Sequence, residues 1–127
     1  QLQQATTFVK AFWLNGTTVN GNVDVGIYDA AWNRLTSTGS TAQATVSDVQ
    51  TVDITDITVE SGLYYFALVS SSTTATFVSL TASDALRLPM IGFAQQASAL
   101  PLPNPATPAL CAHTIIPIFG FSRRVLL

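Results

Sequence analysis

The sequence predicts an all-β chain, an antiparallel β-sandwich of jelly-roll type with about eight strands and no significant helix. Three observations predict it. Val, Ile, Thr, Tyr and Phe dominate, in short alternating runs. Gly, Asn, Asp and Ser punctuate those runs at roughly ten-residue spacing. Helix signals are nearly absent. An immunoglobulin-like sandwich is the alternative topology, and no internal repeat supports a propeller or a β-helix.

The first run, FVKAFWL, sets Phe8, Lys10, Phe12 and Leu14 on one face and Val9, Ala11 and Trp13 on the other. Asn-Gly follows at 15–16 and again at 20–21, a pair that tolerates the left-handed backbone of tight turns. In the second run, NVDVGIYD, Val23, Val25 and Ile27 alternate with Asp24, Gly26 and Tyr28. Gly26 weakens a strand interior unless another chain segment approaches closely there. A loop, DAAWN, leads to a short third strand, RLTSTGS.

The stretch TVDITDITVESGLYYFALVS is the most patterned. Val52 and Ile54 share one parity, Ile57 and Val59 the other, so a bulge or break is expected at Thr55-Asp56. Glu60-Ser61-Gly62 reads as a turn with Gly62 left-handed, where a Gly62→Val substitution would be strained. LYYFALV is apolar on both faces and reads as a central strand covered on both sides. After the SSSTTA loop, TFVSL and ASDALRLPMIGF hold further strands. ALPLPNPATPAL carries four of the six prolines, which favours an extended arm lying on a surface. HTIIPIFGFSRRVLL closes the chain, with Pro117 suggesting an edge or a bulge. The expected organisation is a sandwich body over residues 1–98, a proline-rich arm over 99–112, and a closing strand of the same domain over 113–127.

Composition narrows function. Apolar residues make up 48% of the 127 and charged residues 9%, against roughly 25% charged in a typical soluble domain. Such a chain is expected to hide much of its exterior against partner chains or to carry a weakly charged Ser/Thr surface. A net charge of −2 gives no support to nucleic acid or an anionic membrane as partner. Arg123-Arg124 is the one basic cluster, too small to track phosphates. No apolar run reaches the ~18 residues of a membrane span, so no membrane insertion is expected. The chain begins at Gln1, and its one methionine is Met90. That suggests a processed chain or the C-terminal part of a longer one, with no signal peptide visible.

Catalytic groupings are lacking, and no enzyme, cofactor or metal is expected. The lone cysteine, Cys111, permits no internal disulfide and reads as a small buried hydrophobe. His113 would share its strand face, without an evident orienting acid. Asp48, Asp53 and Asp56 could approach a loop calcium site, but solvent-facing strand residues explain them more simply. Glu60, the one glutamate, sits in a turn. No serine lies in a nucleophile elbow and no glycine run cradles phosphate. Aromatics are the remaining route to binding. Trp13, Tyr28 and Tyr64 lie on strands, where packing explains them. Trp32 lies in a loop between Asp29 and Arg34, so these three are the ligand-binding candidates. A Trp folded back to cap the sandwich end is the structural alternative.

VGIYDAAWNRLTSTGS followed by VESGLYYFALVS resembles the jelly-roll domains of tailed-phage virion proteins: tail-fibre, head-fibre and capsid-decoration modules. The residues that carry the resemblance are Gly26, Ile27, Tyr28, Asp29, Gly39, Gly62, Tyr64 and Tyr65. It covers residues 8–80 and leaves the proline-rich arm outside. It implies a non-enzymatic structural and adhesion module on the virion surface, a homo-oligomer with a trimer favoured, which associates with other virion proteins and contacts host-surface glycans. A carbohydrate-binding module of a larger enzyme or adhesin is the alternative that Trp32 keeps open.

Overall fold

Two antiparallel sheets carry the fold, and a central strand organises each. The structure, a computed structural model, describes residues 1–81, 94–97, 100–110 and 115–124. In the first sheet β1 (Thr6–Leu14) lies between β5 (Val49–Val59) and β11 (Phe119–Arg123). In the second, β2 (Asn22–Asp29) pairs along one edge with β3 (Arg34–Ser37) and β4 (Thr41–Ala42) and along the other with β6 (Tyr64–Ser70). Two short ladders complete it: β7 (Ser79–Thr81) with β10 (Ile115–Pro117), and β8 (Ala94–Gln95) with β9 (Ala109–Leu110). The all-β sandwich is as the sequence predicts, with more and shorter strands than the punctuation suggests. Consecutive strands change sheets at β1–β2, β4–β5 and β5–β6, as in a β-sandwich.

The core forms where the two inner faces meet: Phe8, Ala11, Trp13, Ile54 and Val59 from the first sheet against Val23, Val25 and Ile27 from the second. Phe8 and Trp13 cannot share a face in a regular strand, because their spacing is odd. A bulge resolves this. Phe8 pairs with Ile57 and Lys10 with Asp53, so one residue of β1 faces three of β5. The irregularity turns Phe8 inward beside Ala11 and Trp13, in place of the regular alternation that FVKAFWL suggests. On β5 it falls at 54–56, where the parity change predicts it, and lets both Ile54 and Val59 reach the core.

Several local expectations are corrected. Gly62 has no left-handed backbone; among the described glycines only Gly21 and Gly39 do. Gly62 instead exchanges two backbone hydrogen bonds with Leu2, and a Cβ there would meet only Tyr64 at 3.6 Å. The strain expected of Gly62→Val therefore has no basis. Of the two Asn-Gly pairs only 20–21 makes a left-handed turn. β6 pairs with β2 alone among the described residues, so it is an edge strand and not a doubly covered central one, and Phe66 is 43% exposed. Pro117 ends β10, a strand paired on one side only among the described residues, as a proline requires.

Asn15 anchors one end of the sandwich. Its side chain is fully buried and accepts from Trp13 Nε1 and Gln43 Nε2, both at 2.9 Å. It donates to the Ala44 and Thr45 carbonyls and to Gln50 Oε1. Gln43 carries the network on to Thr76 O and to the backbone of Asn20. One amide thus ties three loops together, and no buried side-chain polar atom among the described residues lacks a partner.

Candidate functional site

Trp32, Asp29 and Arg34 stand at the tip of the β2–β3 hairpin, but they do not converge on one opening. Asp29 closes its own loop. Its Oδ1 accepts from the backbone of Ala31 and Asn33, each at 2.9 Å, and its Oδ2 from Asn33 Nδ2 at 3.0 Å. The Asn33 side chain, then the Asn33 and Ala31 amides, hold the Asp29 carboxyl below its ordinary range. The turn they enclose carries Trp32 with a left-handed backbone, φ 65°, and returns its amide to Asp29 O. A bulky residue is uncommon in that conformation and persists only where its surroundings hold it.

Ring packing does so here. Trp32 stacks on Tyr65 of β6, with centroids 4.1 Å apart and planes 14° apart, and tilts against Tyr28 at 6.2 Å. Tyr28↔Tyr65 is a directly opposed cross-strand pair, which places both rings on the outer face beneath the loop. Tyr65 already covers one face of the Trp32 indole.

Arg34 serves the proline-rich arm. Its guanidinium donates to Leu102 O, and its backbone amide donates to Asn104 Oδ1 at 2.9 Å. The rest of the outer face does the same. Asp24 Oδ2 accepts from the Leu102 amide at 3.0 Å, and Tyr28 OH donates to Pro103 O at 2.6 Å. Ala106 N donates to Trp32 O at 2.9 Å. Leu102 itself is 5% exposed and lies over Gly26, where a Cβ would fall 2.7 Å from Leu102 Cδ1 and 2.9 Å from Thr36 O. This is the close neighbour that a mid-strand glycine requires, and it explains why β2 is buried on both faces. Burial beneath the arm raises the Tyr28 phenol; Arg34 opposes the shift and Asp24 adds to it.

Trp13 and Tyr28 are buried, as the packing explanation expects. Asp53 pairs with Lys10 at 2.9 Å and Asp56 with Arg124 at 2.6 Å, while Asp48 Oδ1 accepts from Val49 N. Among the described residues no three His, Cys, Asp or Glu side chains gather to hold a metal. Cys111 and His113 lie outside the described residues. Sequence reasoning counted Tyr65 among the aromatics able to stack on a ligand but missed Asn104 and Leu102 as members of this region. Two signals could have joined them, since Gly26 asked for a close neighbour and the arm was too apolar to lie free.

An open groove adjoins the tip along β6, lined by Trp32, Tyr65, Phe66, Leu68, Phe77 and Ile116 among others. Of its lining, Phe66 meets Phe121 at 4.9 Å and Phe8 at 5.7 Å. No protein-family model, curated protein or solved structure matches this chain. Fold and site define it as an all-β sandwich with an aromatic tip, an apolar groove and a docked arm.

Proposed function

We propose that the protein is a non-enzymatic structural and adhesion module of a virion surface, which works by associating with copies of itself and with other virion proteins. The observation that carries this reading is the apolar edge. Phe66, Leu80 and Ile115 are 43%, 63% and 58% exposed in a chain with only 9% charged residues. Exposed apolar side chains in so weakly charged a chain suit association, and β6 is an edge strand among the described residues. The phage-module resemblance supports the virion setting, and it implies a trimer. Sedimentation velocity tests the reading. Wild type is expected to form an oligomer that Leu80→Lys with Ile115→Lys dissociates; a wild-type monomer at high micromolar concentration would sink it.

The aromatic tip supports a second reading, glycan contact through Trp32, either on a host surface or as a binding module of a larger enzyme or adhesin. Sugar rings stack on aromatic faces, and Trp32 with Tyr65 presents a preformed aromatic pair. A glycan array compared between wild type and Trp32→Ala tests it, and binding unchanged by the substitution removes Trp32 from the site.

A further inference from the structure

We propose that Asn20 is a site of spontaneous covalent modification, converting to aspartate and isoaspartate as the protein ages, while the chemically identical Asn15-Gly16 pair is protected by the fold. The chemistry is intramolecular. The Gly21 amide nitrogen gives its proton to hydroxide and attacks Asn20 Cγ. A C–N bond closes a succinimide ring, the bond from Cγ to Nδ2 breaks, and ammonia leaves with a proton from water. Water then opens the ring at either carbonyl. One opening gives aspartate, the other isoaspartate, whose main chain runs through the former side chain. Nothing is oxidised or reduced. Glycine suits the attacking position because no side chain screens its nitrogen.

The two Asn-Gly pairs differ in everything this reaction needs. The Asn15 side chain is fully buried, and both its oxygen and its nitrogen are held by hydrogen bonds. Gly16 N donates to Thr76 O at 2.9 Å, so the attacking nitrogen is occupied, and a Cβ at Gly16 would fall 2.5 Å from Thr76 Oγ1. Asn20 and Gly21 are both exposed. Asn20 Nδ2 makes a single hydrogen bond, to Thr74 Oγ1 at 2.9 Å, and Gly21 N has no acceptor among the described residues. The bonds that hold this left-handed turn run through Asn20 N and Gly21 O, to Gln43 Oε1 at 2.8 Å and from Gln43 N at 3.0 Å. Ring closure uses neither atom.

The two products differ in effect. In aspartate the donor to Thr74 becomes an acceptor, and the Thr74 hydroxyl, already shared with Ser72 Oγ at 3.1 Å, turns to donate. In isoaspartate the main chain between positions 20 and 21 is longer by a carbon, so the paired bonds to Gln43 lose their spacing. Gln43 ties this turn to Asn15. Isoaspartate at 20 therefore loosens the end of the sandwich that Asn15 anchors.

Ageing of the whole protein in mildly alkaline buffer, followed by peptide mapping by mass and by retention against synthetic isoaspartyl standards, tests this. Conversion at Asn20 is expected to run at least about a hundredfold ahead of Asn15 in the folded protein, because only the small opened fraction exposes Asn15. In denaturant the two rates are expected to converge. Asn20→Gln, whose larger ring closes slowly, is expected to leave position 20 unconverted. Aged wild type is expected to melt a few degrees below fresh protein, while aged Asn20→Gln and fresh Asn20→Asp melt close to it. Folded protein in which Asn15 and Asn20 convert together, or in which Asn20 stays intact while the denatured chain converts, overturns the site. Aged protein that carries isoaspartate at position 20 and melts as fresh overturns its effect on the sandwich end.

Discussion

Asn15 shows how much one side chain can decide. Its Oδ1 accepts two hydrogen bonds and its two N–H groups are shared among three acceptors, all inside the protein. Asn15→Ala would strand Trp13 Nε1 and two loop carbonyls, and each buried orphan costs about 1–3 kcal/mol. A loss of about 3 kcal/mol is expected in denaturant unfolding, together with a changed Trp13 signal in near-ultraviolet circular dichroism. Gly26→Ala is expected to cost about 1–3 kcal/mol through overpacking. Leu102→Ala in the same chain should recover only part of that, because Thr36 O remains in the way. Gly62→Ala, by contrast, meets no left-handed backbone and ordinary contact, so its melting temperature should be unchanged or slightly raised. The glycine that looked like a turn residue is dispensable, and the one that looked like a strand defect is required. Sequence could show that Gly26 needs a neighbour; the neighbour is 76 residues away and no local pattern names it.

Among elements, the β2–β3 loop carries a carboxyl whose shift makes its behaviour depend on pH. The Asp29 carboxyl is depressed by the Asn33 amide and the loop backbone. A depressed carboxyl stabilises its fold above its ordinary pKa, and that contribution disappears as pH falls through the folded value. Trp32 fluorescence should therefore change as the solution is acidified below the ordinary carboxylate range, and Asn33→Ala should move the change to higher pH. β5 was the element most legible in advance, because two parities of apolar residues in one run force an irregularity, and Ile54 and Val59 both reach the core through it. β1 hid the same irregularity, since FVKAFWL reads as clean alternation and only the partner strand reveals that Phe8 must turn. β6 misled for a different reason. Its LYYFALV is apolar on both faces because one face meets the core and the groove while the other carries Tyr65 beneath Trp32, not because strands flank it on both sides.

Taken whole, the molecule matches its composition. A chain with so few charges must shield apolar surface by geometry, and it does so with a bulged core, a satisfied polar end and an arm laid over its own sheet. The arm was predicted to lie on a surface, and the structure shows that surface to be the second sheet of the same chain. Association driven by the remaining apolar edge should be insensitive to salt, because screening acts on charges that are scarce there. Sedimentation in dilute and in molar sodium chloride should give the same species. An oligomer that dissolves in salt would point to ionic contacts instead.

The covering of β2 by the arm also sets the order in which the protein opens. A strand hydrogen-bonded along both edges and sealed on both faces should exchange its amide protons for deuterium more slowly than the other described strands, at rates near those of global unfolding. Release of Leu102 would uncover Asp24, Gly26 and Tyr28 at once. Deuterium uptake along Asn22–Asp29 therefore reports the opening of the arm and the sheet together, and stays slow while the clasp is closed.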